Sequence, residues 1–250
     1  MPQVAVVIPA YNEADLVGAT VAAARELPDV DLVVVVDDGS RDGTAAVARQ
    51  AGARALRYAR NHGKAMAMMV GAREVAELDR RRPAGGPRHL LFLDADLGST
   101  AAAAGPLIGP VAAGEADMTV AVFANRVKRG GHGFVVALAG SGIARATGWT
   151  PAQPLNGQRC LTRAAFEAAR PLARGFGVET AMTIDLKRSG MRIVEIEVEM
   201  AHRATGADLP SQLHRARQFG DVALALATRL RLPARAATAW LACRDCGSRI

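Results

Sequence analysis

Four short apolar runs, each broken off by polar or acidic residues, constrain this chain more than anything else in it. They cover residues 4–8, stopped by Pro9 and followed by Asn12 and Glu13; 31–36, stopped by Asp37, Asp38, Gly39 and Ser40; 53–58; and 89–93, ending at Asp94, Ala95 and Asp96. A run that is apolar at nearly every position suits a strand covered on both faces. Between the runs lie stretches of helical spacing. One covers 13–26, with Leu16, Ala19, Ala23 and Leu27 on one side; a second covers 43–51, with Asp42 placed to cap it; a third covers 64–78. Strand and helix in alternation predict an α/β layer with a mostly parallel sheet.

The second part of the chain is less regular. Residues 117–123, 157–161 and 192–198 read as strands, and 134–147 and 178–189 as helices. An amphipathic helix covers 211–230, with Leu213, Phe219, Val222, Leu226 and Leu230 on or near one face. We divide the chain into a ligand-binding half at 1–100, a second half of the same domain at 101–205, and a C-terminal helix and tail at 206–250.

Composition narrows the class. Half of the 250 residues are apolar, which excludes a disordered chain. Aromatics are only 4%, so the core is built from small aliphatics. Three cysteines make no disulfide framework, and Cys243 with Cys246 is a lone pair without a second pair for zinc. The N-terminal apolar run has no basic flank, and no apolar run reaches 18 residues. The expected setting is soluble and cytoplasmic, with peripheral contact to the inner membrane face left open. The formal charge of +7 rests on 28 arginines against three lysines. It reflects either compositional bias or anionic partners such as phosphates or a lipid surface. No nucleic-acid module is present, so nucleic acid is not expected as a partner.

The polar residues that end the strands carry the chemistry. In an open parallel sheet, ligands bind outside the carboxyl ends of the strands. Three clusters there converge on one crevice, where packed carboxylates repel unless a cation or a donor-rich ligand lies between them. The chain has neither GxGxxG after the first strand nor GxxxxGK[ST]. Lys64, at a helix start in Asn61-His62-Gly63-Lys64, is placed to meet a diphosphate.

These residues resemble a known family. Val7-Ile8-Pro9-Ala10-Tyr11-Asn12-Glu13, then Val36-Asp37-Asp38-Gly39-Ser40-Arg41-Asp42-Gly43-Thr44, then Asn61-His62-Gly63-Lys64, then Asp94-Ala95-Asp96 look like the motif series of family-2-type glycosyltransferases with the GT-A fold. The likeness continues more loosely through Asn156-Gly157-Gln158-Arg159, Gly175–Gly177 with Val178 and Glu179, and His202-Arg203. It implies a mostly parallel, Rossmann-like sheet flanked by helices. It also implies transfer of a sugar from a nucleotide-diphosphate donor, UDP-glucose or similar, with the help of Mg2+ or Mn2+.

The resemblance assigns roles as well. Asp96 and His202 would hold the metal. Pro9, Tyr11, Glu13, Asp38, Gly39, Lys64, Asp94 and Ala95 would line the nucleotide-sugar site. Glu179, with Asp96, would be catalytic, beside the acceptor. Arg126, Arg129, Gly131, His132 and Asn156 would form the acceptor side, with Arg159 and Arg203 as the fallback for an anionic acceptor. Two subgroups fit: glucosyl-3-phosphoglycerate synthases and polyprenyl-phosphate sugar transferases. Where the first grips the acceptor phosphate with Gly-Arg-x-Thr, this chain has Gly131-His132-Gly133-Phe134-Val135. A small phosphorylated acceptor and a lipid-linked one both stay open. So do three settings for the helix at 211–230: packing on the core, a second copy of the chain, or an anionic membrane surface. A nucleotide-sugar-binding relative without activity is the alternative of another class.

Overall fold

The computed structural model describes residues 3–82, 86–124, 133–200 and 209–230, with side chains from 217 onward in the last segment. Seven strands form one sheet: β1 (Val4–Ala10), β2 (Val30–Asp37), β3 (Arg54–Arg57), β4 (His89–Phe92), β5 (Met118–Phe123), β6 (Arg159–Leu161) and β7 (Ile193–Val198). Their order across the sheet is β3-β2-β1-β4-β6-β5-β7. Only β6 runs against its neighbours β4 and β5; every other pairing is parallel. The carboxyl ends of the six parallel strands therefore share one edge.

The unbroken apolar runs are explained by two covered faces. Val4, Val6 and Ile8 of β1 enter one core, and Ala5 and Val7 enter the other. Val33 and Val35 of β2 divide from Val34 and Val36 in the same way. One face carries α1 (Ala14–Arg25), α2 (Thr44–Gln50) and a 3-10 segment, Gly98–Leu107. The other carries α3 (Lys64–Arg80), α6 (Arg163–Ala168) and α7 (Val178–Arg188); the short α4 (Gly109–Ala112) joins the first face through Val111. α3 lies so close to β1 that a Cβ at Gly71 would clash with Val7.

The structure corrects the expected face of α1. Its buried stripe is Val17, Thr20, Val21 and Ala24, whereas Ala19 is exposed. The stripe contains a threonine because that hydroxyl has a partner inside: Thr20 donates to the Ala95 carbonyl (2.9 Å) and accepts from the Gly98 amide (2.8 Å). The 3-10 segment, α4 and α6 were not expected from the sequence pattern.

α5 (Gly133–Thr147) and α8 (Leu209–Leu230) form an outer layer with α7. Phe134 stacks on Phe219, Gly142 meets Leu226, and Arg188 of α7 donates to both the Ala146 and the Arg229 carbonyls. That order of contacts means α5 and α8 run parallel. Asp185 of α7 is bound by Arg229 of α8 and so faces the outer layer. Val222, Ala225 and Leu226 bury one side of α8, which settles the packing of that side on the body of the fold.

Candidate active site

The site grows from the loops at the shared edge. The turn after β1 is laced to the turn after β2. The Asn12 amide donates to the Ser40 hydroxyl (2.8 Å), the Glu13 amide to the Thr44 hydroxyl (2.9 Å), the Ala14 amide to Asp42 (3.1 Å), and the Arg41 amide to the Asn12 side chain (2.9 Å). Asp42 also accepts from the Thr44 amide at the start of α2, close to the capping role expected of it. Asn12 takes a left-handed φ of 56°, which asparagine tolerates. Asp37 is buried and accepts from the Ser40 amide (2.8 Å).

Asp38 has a definite task in this structure. Its carboxylate accepts from the amides of His62 (2.9 Å) and Gly63 (2.6 Å), just before α3. Gly63 is the N-cap of α3 and His62 the residue before it, so the carboxylate sits at the helix start, where it suits the helix dipole. Gly39 has φ 87°, and a Cβ on it would stand 2.6 Å from the Arg60 carbonyl carbon. The turn after β2 and the approach to α3 are thereby locked together. Pro9 does not stop β1, which pairs on through Ala10: Pro9 lies beside Val36, Ala10 is buried, and Tyr11 is exposed at the loop.

Fixing α3 fixes Lys64, its first residue. The Lys64 ammonium lies 2.7 Å from Asp94 and 2.8 Å from Glu179. Asp94 leads the turn after β4, and Glu179 is in the first turn of α7 and buried. One cation thus joins two carboxylates from distant parts of the chain. Burial alone pushes the Lys64 ammonium down, but Asp94 and Glu179 outweigh it and hold it above the ordinary lysine range. Lys64 keeps 24% of its side chain exposed, so the cluster opens to solvent on one side.

Residues that sequence reasoning left out complete the frame. Gln158 is fully buried; its side-chain oxygen accepts from the Asp94 amide and its nitrogen donates to the Asp94 carboxylate, both at 2.9 Å. Thr20 holds the carbonyl of Ala95, between the two aspartates. The motif string around 156–159 pointed to Gln158 without giving it a role, and nothing local marked Thr20.

Arg159 corrects the fallback assignment. It is 1% exposed, so no acceptor anion reaches it. Its guanidinium donates to the carbonyls of Asn156 and Glu179 and to the Thr183 hydroxyl, at 2.9–3.0 Å. Burial pushes it down to about 10, and it remains charged at neutral pH. It holds the start of α7, and so Glu179, from behind. The Asn156 side chain bonds within its own loop, to Gln153 and to the Gln158 amide. His202, Arg126, Arg129, Gly131, His132 and Arg203 lie outside the described residues.

Asp96 is half-buried on the turn after β4. A hard dication needs oxygen donors and is commonly held by one or two carboxylates plus substrate phosphates, without a closed protein cage. A half-buried carboxylate at the open strand edge fits that requirement. Among the described residues, no group of three or more His, Cys, Asp or Glu could hold an ion.

Residues 5–153 match the family model for glycosyl transferase family 2. The chain belongs to glycosyl transferase family 2. Glycosyltransferase AglJ of Haloferax volcanii is 27% identical over 209 residues, 82% of this chain. The chain spans 65% of the length of that curated relative. Among solved structures, glucosyl-3-phosphoglycerate synthase from Mycobacterium tuberculosis with Mn2+, UDP and phosphoglyceric acid matches with a TM-score of 0.72 and 26% identity over 93% of this chain and 80% of that one. The same enzyme with Mg2+ and UDP gives the same values. Its complex with Mn2+, UDP-glucose and phosphoglyceric acid gives a TM-score of 0.70 and 28% identity, over 93% and 81%. The α/β fold expected from the family-2 resemblance is the fold observed. No helix among the described residues is long and apolar enough to cross a membrane.

Gly157 offers a test of how tight the cluster of this family-2 chain is. A Cβ there would stand 2.5 Å from the Lys64 nitrogen and 3.1–3.2 Å from the Asp94 carboxylate. Gly157→Ala is expected to push the ammonium off Asp94 while leaving the fold intact, because the flexible lysine end can yield. A shift of about 1 Å in a catalytic site costs up to ~100-fold. Thermal melts and initial rates together check this: kcat/KM should fall by about 10- to 100-fold with little change in Tm.

Proposed function

We propose that this family-2 chain transfers a glycosyl group from a nucleoside-diphosphate sugar, with uracil as the favoured base, to an acceptor that carries a phosphate. The observation that carries the reading is Lys64 held between Asp94 and Glu179 at the carboxyl ends of β1, β2 and β4. The likeness to a glucosyl-3-phosphoglycerate synthase solved with UDP, a dication and phosphoglyceric acid supports both donor class and acceptor charge.

In the reaction, the bond from the anomeric carbon to the diphosphate breaks and its electron pair leaves with the diphosphate. A lone pair of the acceptor oxygen makes the new bond. A hydroxyl acceptor also sheds its proton; a phosphate oxygen has already lost it. Asp96, with His202 of the sequence motif, would hold the dication, which when bound offsets the charge building on the leaving diphosphate. We assign Pro9, Tyr11, Glu13, Gly39 and the loop clamped by Asp38 to the nucleoside. Asp94 and Lys64 orient hydroxyls on the donor. Glu179 faces the acceptor side, and the segment carrying Arg126, Arg129, Gly131, His132 and Asn156 receives the acceptor.

Calorimetric titration of UDP and GDP, with and without Mn2+, tests the donor site. UDP should bind more tightly with the metal, and Asp96→Ala should abolish that gain. The same substitution should lower the rate at least ~100-fold, at about 1.4 kcal/mol per decade. Metal-independent binding of both nucleotides, or an Asp96→Ala variant within threefold of wild type, would remove the assignment.

A further inference from the structure

Eight large hydrophobic side chains are exposed among the described residues, and five of them lie on α5 and α8: Phe134, Val136, Phe219, Leu224 and Leu230. Phe134 is 75% exposed and Leu224 61%, so this is not a rim of half-covered core. Phe134 and Phe219 stack on each other with ring centroids 5.9 Å apart, yet Phe219 is itself 38% exposed. The inner side of α8 is already buried through Val222, Ala225 and Leu226. The helix is thus apolar on two sides, and packing against the fold accounts for only one. An exposed apolar patch of this kind marks an interaction surface.

Charge and position say what covers it. α5 and α8 carry Arg145, Arg215, Arg217 and Arg229 against a single acidic residue, Asp221. Arg229 is turned to Asp185, and Asp221 accepts from the Phe176 amide, so Asp221 puts no free acid on the outer side. Arg145 and Arg217 are exposed. Apolar side chains set among arginines fit the boundary of an anionic bilayer, where rings and aliphatic chains enter the acyl region and guanidinium groups meet headgroup phosphates. The aromatic pair also lies at the site end of the molecule. Phe219 is two residues before Asp221, whose carboxylate holds the turn that leads into α7 and Glu179.

We infer that the outer face of α5 and α8, led by Phe134, Phe219 and Leu224, is a docking surface for an anionic lipid bilayer that brings the open side of the catalytic crevice to the membrane. The inference rests on the reading that the acceptor enters at this end of the molecule, and it selects a lipid-borne acceptor phosphate over a freely diffusing one. It does not need the chain to cross the bilayer.

Flotation of the full chain with vesicles tests it. One set is pure phosphatidylcholine and the other contains about a third phosphatidylglycerol. The wild type should float with the anionic vesicles, weakly with the neutral ones, and less at high salt. The double variant Phe134→Ser with Leu224→Ser should partition at least ~tenfold more weakly, while its calorimetric UDP affinity with Mn2+ stays at the wild-type value and shows the fold intact. Absence of flotation, or flotation that the double variant leaves unchanged, overturns the surface. So does a wild-type dimer in light scattering that the double variant converts to a monomer, since a second copy would then cover the face. Transfer assays keep the two readings apart: a chain that floats through these residues but glucosylates only a soluble phosphoacid keeps the surface and loses the lipid acceptor.

Discussion

Lys64→Ala is expected to lower kcat/KM about 100-fold or more and to add an acid limb to the pH profile that the wild type lacks. Lys64 joins Asp94 to Glu179, at 2.7 and 2.8 Å. In the wild type its ammonium is held above the ordinary lysine range. A raised lysine contributes stability that is fully present below its unfolded value of about 10.4 and is lost only as pH climbs through the still higher folded value. Between about pH 6 and 9, then, Lys64 stays charged and adds no inflection. Without it, two carboxylates face each other across a partly buried gap. Like charges so close raise the proton affinity of the pair, which takes up one proton as pH falls. The proton disables a group that must accept hydrogen bonds, so activity drops on the acid side. Removing one partner of a fully buried ion pair costs about 3–5 kcal/mol, and the remaining exposure of Lys64 and Asp94 puts the stability loss below that range. Rates measured from about pH 5 to 9 on variant and wild type check the claim. Parallel profiles with less than a threefold loss would show that the pairing is incidental.

Much of this architecture is legible in the sequence because it is written locally. An apolar residue at nearly every position of β1 and β2 needs two covered faces, and two cores are what the sheet divides. The polar residues at strand ends announce the crevice because an open sheet has one edge where such residues gather. What is written non-locally does not read. Thr20 looks like an interruption of an apolar stripe until Ala95 and Gly98 appear beside it. The 3-10 segment Gly98–Leu107 is rich in alanine and interrupted by glycine and proline, so neither helical nor strand spacing marks it. Arg159 has the composition of an anion ligand, and only its burial against the Glu179 carbonyl shows that it builds the site. Lys64 and Glu179 carry no sign of each other; their meeting depends on α3 and α7 both beginning at the same edge. The exposed second face of α8 is visible in neither its composition nor its periodicity. A helix that buries Leu226 and exposes Leu224 looks, from sequence, like one with a broader core stripe.

Glu179→Gln should depress turnover by roughly 100-fold or more, within the range for loss of a group acting on a transferred proton or a reacting oxygen. Nucleotide affinity with Mn2+ should change less than threefold, because the nucleoside and metal positions are assigned to other loops. The geometry argues for an orienting carboxylate rather than a free base. Its Oε1 already accepts from the Lys64 ammonium at 2.8 Å, and that hydrogen bond competes for the lone pairs a base would offer. Its backbone is fixed too: Arg159 and the Thr183 hydroxyl both donate to the Glu179 carbonyl. Such a group holds an acceptor oxygen in line with the anomeric carbon and keeps Lys64 in register. Glutamine preserves the shape and an acceptor oxygen but removes the charge, leaving Lys64 paired with Asp94 alone. The loss should therefore fall on kcat at saturating donor, and raising the pH should not restore it, as it would if the defect were a missing base replaced by hydroxide. Stopped-assay kinetics on both variables decide the matter. Equal losses in nucleotide affinity and turnover would move Glu179 to the donor side. A recovery that climbs tenfold per pH unit would make it the base.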